Sequence, residues 1–211
     1  MTEAEWLACE DPKPMVAHIR SSGSARKLRL FACACCYRVY TDGDGPEFDG
    51  VTISERYADG QATDEELKQA EDDLDCGDYR YGPADYATSG EIDAVLGAAA
   101  AATWIVEYNA AHHHPGPGLL ADQERLAQAV LLRDIFGNPF RPVAVDPAWL
   151  TSAVVALAGG IYADRAFDRL PILADALQDA GCDSDDVLDH CRGPGPHVRG
   201  CWVVDLLLGK S

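Results

Sequence analysis

Between Ser24 and Tyr40 the apolar residues Leu28, Phe31, Ala32, Cys35, Cys36 and Val39 recur at i, i+3, i+4, i+7, i+8 and i+11, the spacing of one helical face. A second row, Leu30, Cys33 and Tyr37, widens the stripe. A helix apolar over so much of its circumference is central and touches neighbours on more than one side. Helical geometry sets Cys35 and Cys36 on the main stripe as core thiols and turns Cys33 away from them. Cys33 and Cys36 form a C-x-x-C, but it lies mid-helix rather than at the helix N-terminus that lowers a thiol pKa, so reactive chemistry is not expected there.

The same periodicity dominates the rest of the chain, and the expectation is an all-α protein of about seven to nine helices. Thr63-x-x-Glu66 is a capping box opening a helix to about Cys76. Ile92 to Tyr108 is Ala-rich and helical by propensity. Gly77 to Gly90, with its Tyr, Gly and Pro, reads as a loop. Leu119 to Phe136 reads as a helix closed by Gly137 at C′. Asp146-Pro147 is a start signal for a helix through Leu150, Val154, Leu157, Ala158, Ile161 and Tyr162. Pro171 opens another to Gly181, Asp183 caps a short one to about Cys191, and a last helix carries Cys201, Val204 and Leu208, a stretch also readable as a buried strand.

The run His112-His113-His114-Pro-Gly-Pro-Gly interrupts this pattern, because two prolines in four residues forbid a continuing helix. It divides the chain into an N-terminal half, residues 1-111, and a C-terminal half, residues 119-211, arranged as two packed sub-bundles or as one domain. The three adjacent histidines cannot all face one ion and read as an exposed loop.

Net charge is -18, unevenly distributed: +2 over residues 1-41, -14 over 42-96 and -6 over 97-211. Such a surface repels phosphate backbones and anionic lipid, which disfavours direct binding to nucleic acid or membrane. The longest apolar stretch, Val95 to Val106, falls short of the about 20 residues of a membrane span. Met1 to Trp6 has neither the basic nor the apolar region of a secretory signal, so a cytoplasmic protein is expected. In a reducing compartment the eight cysteines are buried thiols or metal ligands rather than disulfides.

Four segments carry a family resemblance: Met1-Thr-Glu-Ala-Glu-Trp-Leu-Ala-Cys9, Arg26-Lys-Leu-Arg-Leu-Phe-Ala32 followed by Cys35-Cys36, Leu131-Leu-Arg-Asp-Ile-Phe-Gly-Asn-Pro-Phe-Arg-Pro142, and His190-Cys-Arg-Gly-Pro-Gly-Pro-His-Val-Arg-Gly-Cys-Trp202. Together they resemble an uncharacterised family of paralogous proteins from planctomycete bacteria. The resemblance spans nearly the whole chain and is weakest in the acidic middle. It implies a cytosolic bacterial protein and transfers no catalytic residue, since the family has no assigned activity.

Three constellations could carry chemistry. Cys182, His190, Cys191, His197 and Cys201 mix soft thiolates with imidazoles, a set that suits tetrahedral zinc. A helix starting at Pro196 would put His197 and Cys201 on one face. The spacing matches no C-x2-C knuckle, and buried thiols beside a surface histidine are the alternative. Arg192, His197 and Arg199 surround Gly193 and Gly195 and could hold an anion; otherwise these arginines pair with Asp183, Asp185, Asp186 or Asp189. Arg133, Asp134, Asn138 and Arg141 make a polar loop. Asp134 opposes the dipole at a helix C-terminus, so it needs a partner such as Arg133 or Arg141, while Phe136 and Phe140 dock into the core.

No G-x-S-x-G, H-E-x-x-H or deaminase pattern occurs, and no catalytic residue is assigned. The expected function is therefore a non-catalytic interaction or adaptor module whose acidic face meets a protein with a basic surface. A zinc-binding protein and an acidic mimic of nucleic acid are the alternatives. No cofactor is expected beyond that zinc.

Overall fold

A computed structural model describes residues 1–20, 23–40, 45–75, 83–88, 97–103 and 117–210. The histidine triplet, the Asp42–Asp44 turn, Cys76, most of the 110–119 junction and the ends of the Ala-rich helix lie outside these residues. Among the described residues the chain forms twelve α-helices, ten of them seven residues or longer, and no strand. The all-α class agrees with the periodicity, but the helices are more numerous than the seven to nine expected.

The additional helices lie mainly where the pattern is weak. α1 (Glu3–Ala8) is opened by a capping box in which Thr2 and Glu5 satisfy each other's backbone N–H groups. α2 (Pro12–Ile19) starts on the Asp11 side chain with Pro12 at N1. α3 (Ala25–Tyr37) is the striped helix, ending three residues earlier than expected, and Leu28 through Cys36 are buried except Arg29. Cys33 is as buried as Cys35 and Cys36, with its thiol 3.8 Å from the Val51 carbonyl, so the second row is core as well. α4 (Pro46–Ala58), which the apolar spacing did not reveal, begins at Pro46 after Gly45. α5 (Asp64–Asp75) carries the capping box of Thr63 and Glu66.

Within the loop expected from Gly77 to Gly90, Pro83–Thr88 is instead helix α6, while 77–82 and 89–90 lie outside the described residues. Six residues show no period, and this helix exists because Ala84, Ala87 and Thr88 are buried. Residues 97–103 form a further helix, and α7 (Pro117–Phe136) follows.

The chain divides into two compact units, Met1–Leu132 and Arg133–Ser211, with the division inside α7. In the first unit α3, α4, α5 and α6 pack together around Ala32, Cys33, Cys36, Val51 and Leu74. One of its buried carboxylates, Glu124, takes a bidentate fork from Arg38 at 2.9–3.0 Å and accepts from Gln128 Nε2 at 3.0 Å. That same Nε2 also donates to the Ala99 carbonyl and to Thr103, while Gln128 Oε1 is buried without a hydrogen-bond partner.

The second unit contains the last turn of α7, a 3-10 turn Pro147–Trp149, α8 (Ser152–Asp164), a 3-10 turn Phe167–Arg169, α9 (Leu170–Asp179), α10 (Asp185–Arg192) and α11 (Trp202–Leu208). Asp146-Pro147 opens only the 3-10 turn; α8 is capped instead by Thr151, whose hydroxyl accepts from Val154 N–H. Ser184, not Asp183, stands at the start of α10. The stretch readable as a strand is helix α11. Leu173, Leu177, Val187, Val203 and Val204 meet in one apolar core with Ile161. No helix among the described residues is long and apolar enough to cross a membrane.

Candidate metal centre

Three segments of the second unit converge on one point. The last turn of α7 supplies Asp134, the last turn of α10 supplies His190, and the segment between α10 and α11 supplies His197 and Cys201. One ligand atom from each of these four residues lies within 4.8 Å of the other three. Asp134 Oδ1 is 2.6 Å from His197 Nδ1 and 3.2 Å from His190 Nε2. His190 Nε2 is in turn 3.1 Å from Cys201 Sγ.

Local structure explains the meeting. α7 stops at Gly137, whose φ of +65° is open to glycine and whose N–H returns to the Arg133 carbonyl. This turn leaves Asp134 facing inward. Residues 193–201 are not helical, which corrects the helix expected from Pro196: His197 and Cys201 are brought together by an irregular turn, not by helical spacing. Gly195, at φ +76°, permits that turn, because a Cβ there would sit 3.0 Å from His197 N. The Cys201 N–H closes onto the Val198 carbonyl at 2.9 Å, and α11 then starts at the next residue.

The cluster is withdrawn from water. The side chains of Asp134, His190 and His197 are 3%, 16% and 10% exposed, and Cys201 is fully buried. Burial alone would raise the Asp134 pKa, but hydrogen bonds and charge from His190 and His197 outweigh it and hold the carboxyl below its ordinary value. Val198 N–H donates to Asp134 Oδ2 at 2.9 Å and so fixes the carboxylate with Oδ1 toward the two imidazoles. Burial, followed by the nearby Asp134 charge, pushes the Cys201 thiol well above its usual range. His197 Nε2 is buried without a hydrogen-bond partner.

Nucleophilic chemistry does not fit this arrangement. In a Cys-His-Asp triad the carboxylate holds the imidazole nitrogen opposite the one facing the thiol. Here Asp134 and Cys201 approach the same nitrogen, His190 Nε2, and the thiol is buried and protonated. Four side chains of metal-ligating type around one point could instead hold a metal ion.

The structure thus joins three of the five residues read from the sequence, His190, His197 and Cys201, with Asp134 from the polar loop. Cys182 and Cys191 are buried in the apolar core of the unit, outside the four-residue group. Burial pushes the Cys191 thiol up to about 12. Arg192 turns to Asp175 and Gln178 at 3.1 and 2.7 Å, not to the nearby aspartates of its own helix. Arg199 lies over the Tyr162 ring at 4.7 Å. Asp134 is partnered by the histidines rather than by Arg133 or Arg141, while Asn138 Oδ1 accepts from Phe140 N–H at 3.0 Å. Phe136 and Phe140 are half-buried rather than docked in the core. The need of Asp134 for a partner was visible in its position at a helix C-terminus; that the partners come from about sixty residues away was not. Comparison with protein families, with curated proteins and with solved structures finds no match for this chain.

Proposed function

We propose that the unit Arg133–Ser211 is a zinc-binding module in which Asp134, His190, His197 and Cys201 hold one ion as a structural clamp. The observation that supports this most is the convergence of four ligand atoms of zinc-compatible type within 4.8 Å. Tetrahedral zinc with bonds of about 2.0 Å to N or O and about 2.3 Å to S has ligand edges of about 3.3–3.5 Å. Contacts of 2.6, 3.1 and 3.2 Å need to open by less than about 1 Å to admit it, while the widest separation, up to 4.8 Å, needs to close by about 1.3–1.5 Å. All four positions come from protein, which is the pattern of a structural site rather than of a catalytic site with an open position. The unit is about 80 residues long, the size at which a metal commonly supplements a small core.

Elemental analysis of protein purified in reducing buffer without chelator tests this reading. Near-stoichiometric zinc, lost together with thermal stability on chelation, is expected. Protein that contains no metal and takes up none on incubation with zinc would overturn it.

A second reading concerns the first unit. α5 turns Leu67, Ala70 and Leu74 inward and exposes Asp64, Glu65, Glu66, Glu71, Asp72 and Asp73. This acidic face supports an adaptor role toward a protein with a basic surface. Its association falls with salt; a lysate pull-down that retains no protein even at low salt would count against it.

A further inference from the structure

We infer that Trp202 is a positioning residue of the metal centre, holding the His190 imidazole so that Nε2 points at the ion; this rests on the zinc reading above. The His190 ring touches two aromatic neighbours, Trp202 with centroids 5.2 Å apart and 59° between planes, and His197 at 4.8 Å and 67°. His197 is itself a ligand, so Trp202 is the wall that does not depend on the ion. Its own place is fixed by Gly137: a Cβ at that residue would lie 3.1 Å from Trp202 Cγ and 3.2 Å from Cδ2. A side chain at 137 would therefore crowd the indole.

This links the site through the chain in an economical way. Gly137 ends the helix that carries Asp134, and Trp202 directly follows the ligand Cys201 at the start of α11. One short contact, Gly137 against Trp202, thus registers the segment bearing the carboxylate with the segment bearing the thiolate. His190 touches both, at Asp134 and at Trp202. Outer groups that orient a metal-bound imidazole typically change metal affinity by about 10–100-fold. Here the outer group is an aromatic face rather than a hydrogen-bond acceptor, so it sets the ring plane and leaves the nitrogens free to bind.

The test is cobalt(II) titration of the full chain, followed by its thiolate charge-transfer and ligand-field absorption, with far-ultraviolet circular dichroism alongside. Trp202→Leu is expected to weaken cobalt binding by about 10–100-fold and to change the ligand-field band at saturation, with helix content unchanged. Trp202→Phe, which keeps an aromatic face, is expected to restore most of the affinity and the band shape. Wild-type affinity and spectrum in Trp202→Leu would overturn the inference while leaving the zinc reading intact. Absence of cobalt binding by the wild-type chain would overturn both. If Trp202→Leu does not fold, Trp202→Met carries the test: it keeps much of the volume without an aromatic face, and wild-type cobalt affinity and spectrum in that variant would overturn the inference.

Discussion

Asp134 Oδ1 lies 2.6 Å from His197 Nδ1, two residues sixty-three positions apart in the chain. That contact ties the end of α7 to the turn before α11, and the carboxylate's second oxygen accepts the Val198 N–H at 2.9 Å. A single side chain therefore anchors the whole 197–201 segment.

Asp134→Asn keeps the shape but removes the charge that two imidazoles face. Metal binding is expected to be lost, and the metal-free protein is expected to lose about 1–3 kcal/mol because buried donors are left poorly satisfied. Urea unfolding in the presence of chelator measures the second effect apart from the first.

On the proposed zinc site, free zinc at about 100 times its Kd is expected to add about 2.7 kcal/mol to the stability of the folded unit. Thermal melting with and without zinc reads this, and chelator reverses it. In Cys201→Ser, which removes the soft ligand, the zinc-dependent rise should be much smaller. An equal rise in that variant would assign the ion to another place.

How far the site was legible depends on the residue. His190, His197 and Cys201 stood out because metal-ligating types crowd one short stretch. Cys182 and Cys191 share that stretch, but both lie in the core with Leu177 and Val187, Cys182 from the turn after α9 and Cys191 by its phase on α10, and sequence spacing does not reveal this. Asp134 completes the group from far along the chain, and only tertiary packing brings it there. The fold follows the same division. α3 and α5 were readable from a long stripe and a capping box, whereas α6 has six residues and owes its helix to burial.

Cys35 and Cys36 test burial in the first unit. Both thiols are pushed well above their ordinary range, by burial first and then by nearby negative charge: Glu124 for Cys35, and Cys33 for Cys36. In the unfolded chain they ionise near their reference value of about 8.5, but in the fold they stay protonated. Their contribution is intact below that pH and declines as pH rises above it. Unfolding free energy measured in reducing buffer should fall by up to about 1.4 kcal/mol per pH unit for each such thiol, and Cys35→Ala should make the fall shallower.

Glu124→Ala should destabilise the first unit by about 1–3 kcal/mol, since it leaves the Arg38 fork and the Gln128 amide without their shared acceptor. Denaturant unfolding of the variant checks this. A change below about 0.5 kcal/mol would show that the pair behaves as an ordinary surface ion pair.

Zinc K-edge X-ray absorption on the zinc-loaded protein reads the identity of the four ligands. A shell of Asp134, His190, His197 and Cys201 gives one sulfur at about 2.3 Å and three nitrogen or oxygen neighbours at about 2.0–2.1 Å, with the sulfur absent in Cys201→Ser. A shell with two or more sulfurs, which would bring in Cys191 or Cys182, or one with no sulfur at all, would contradict it.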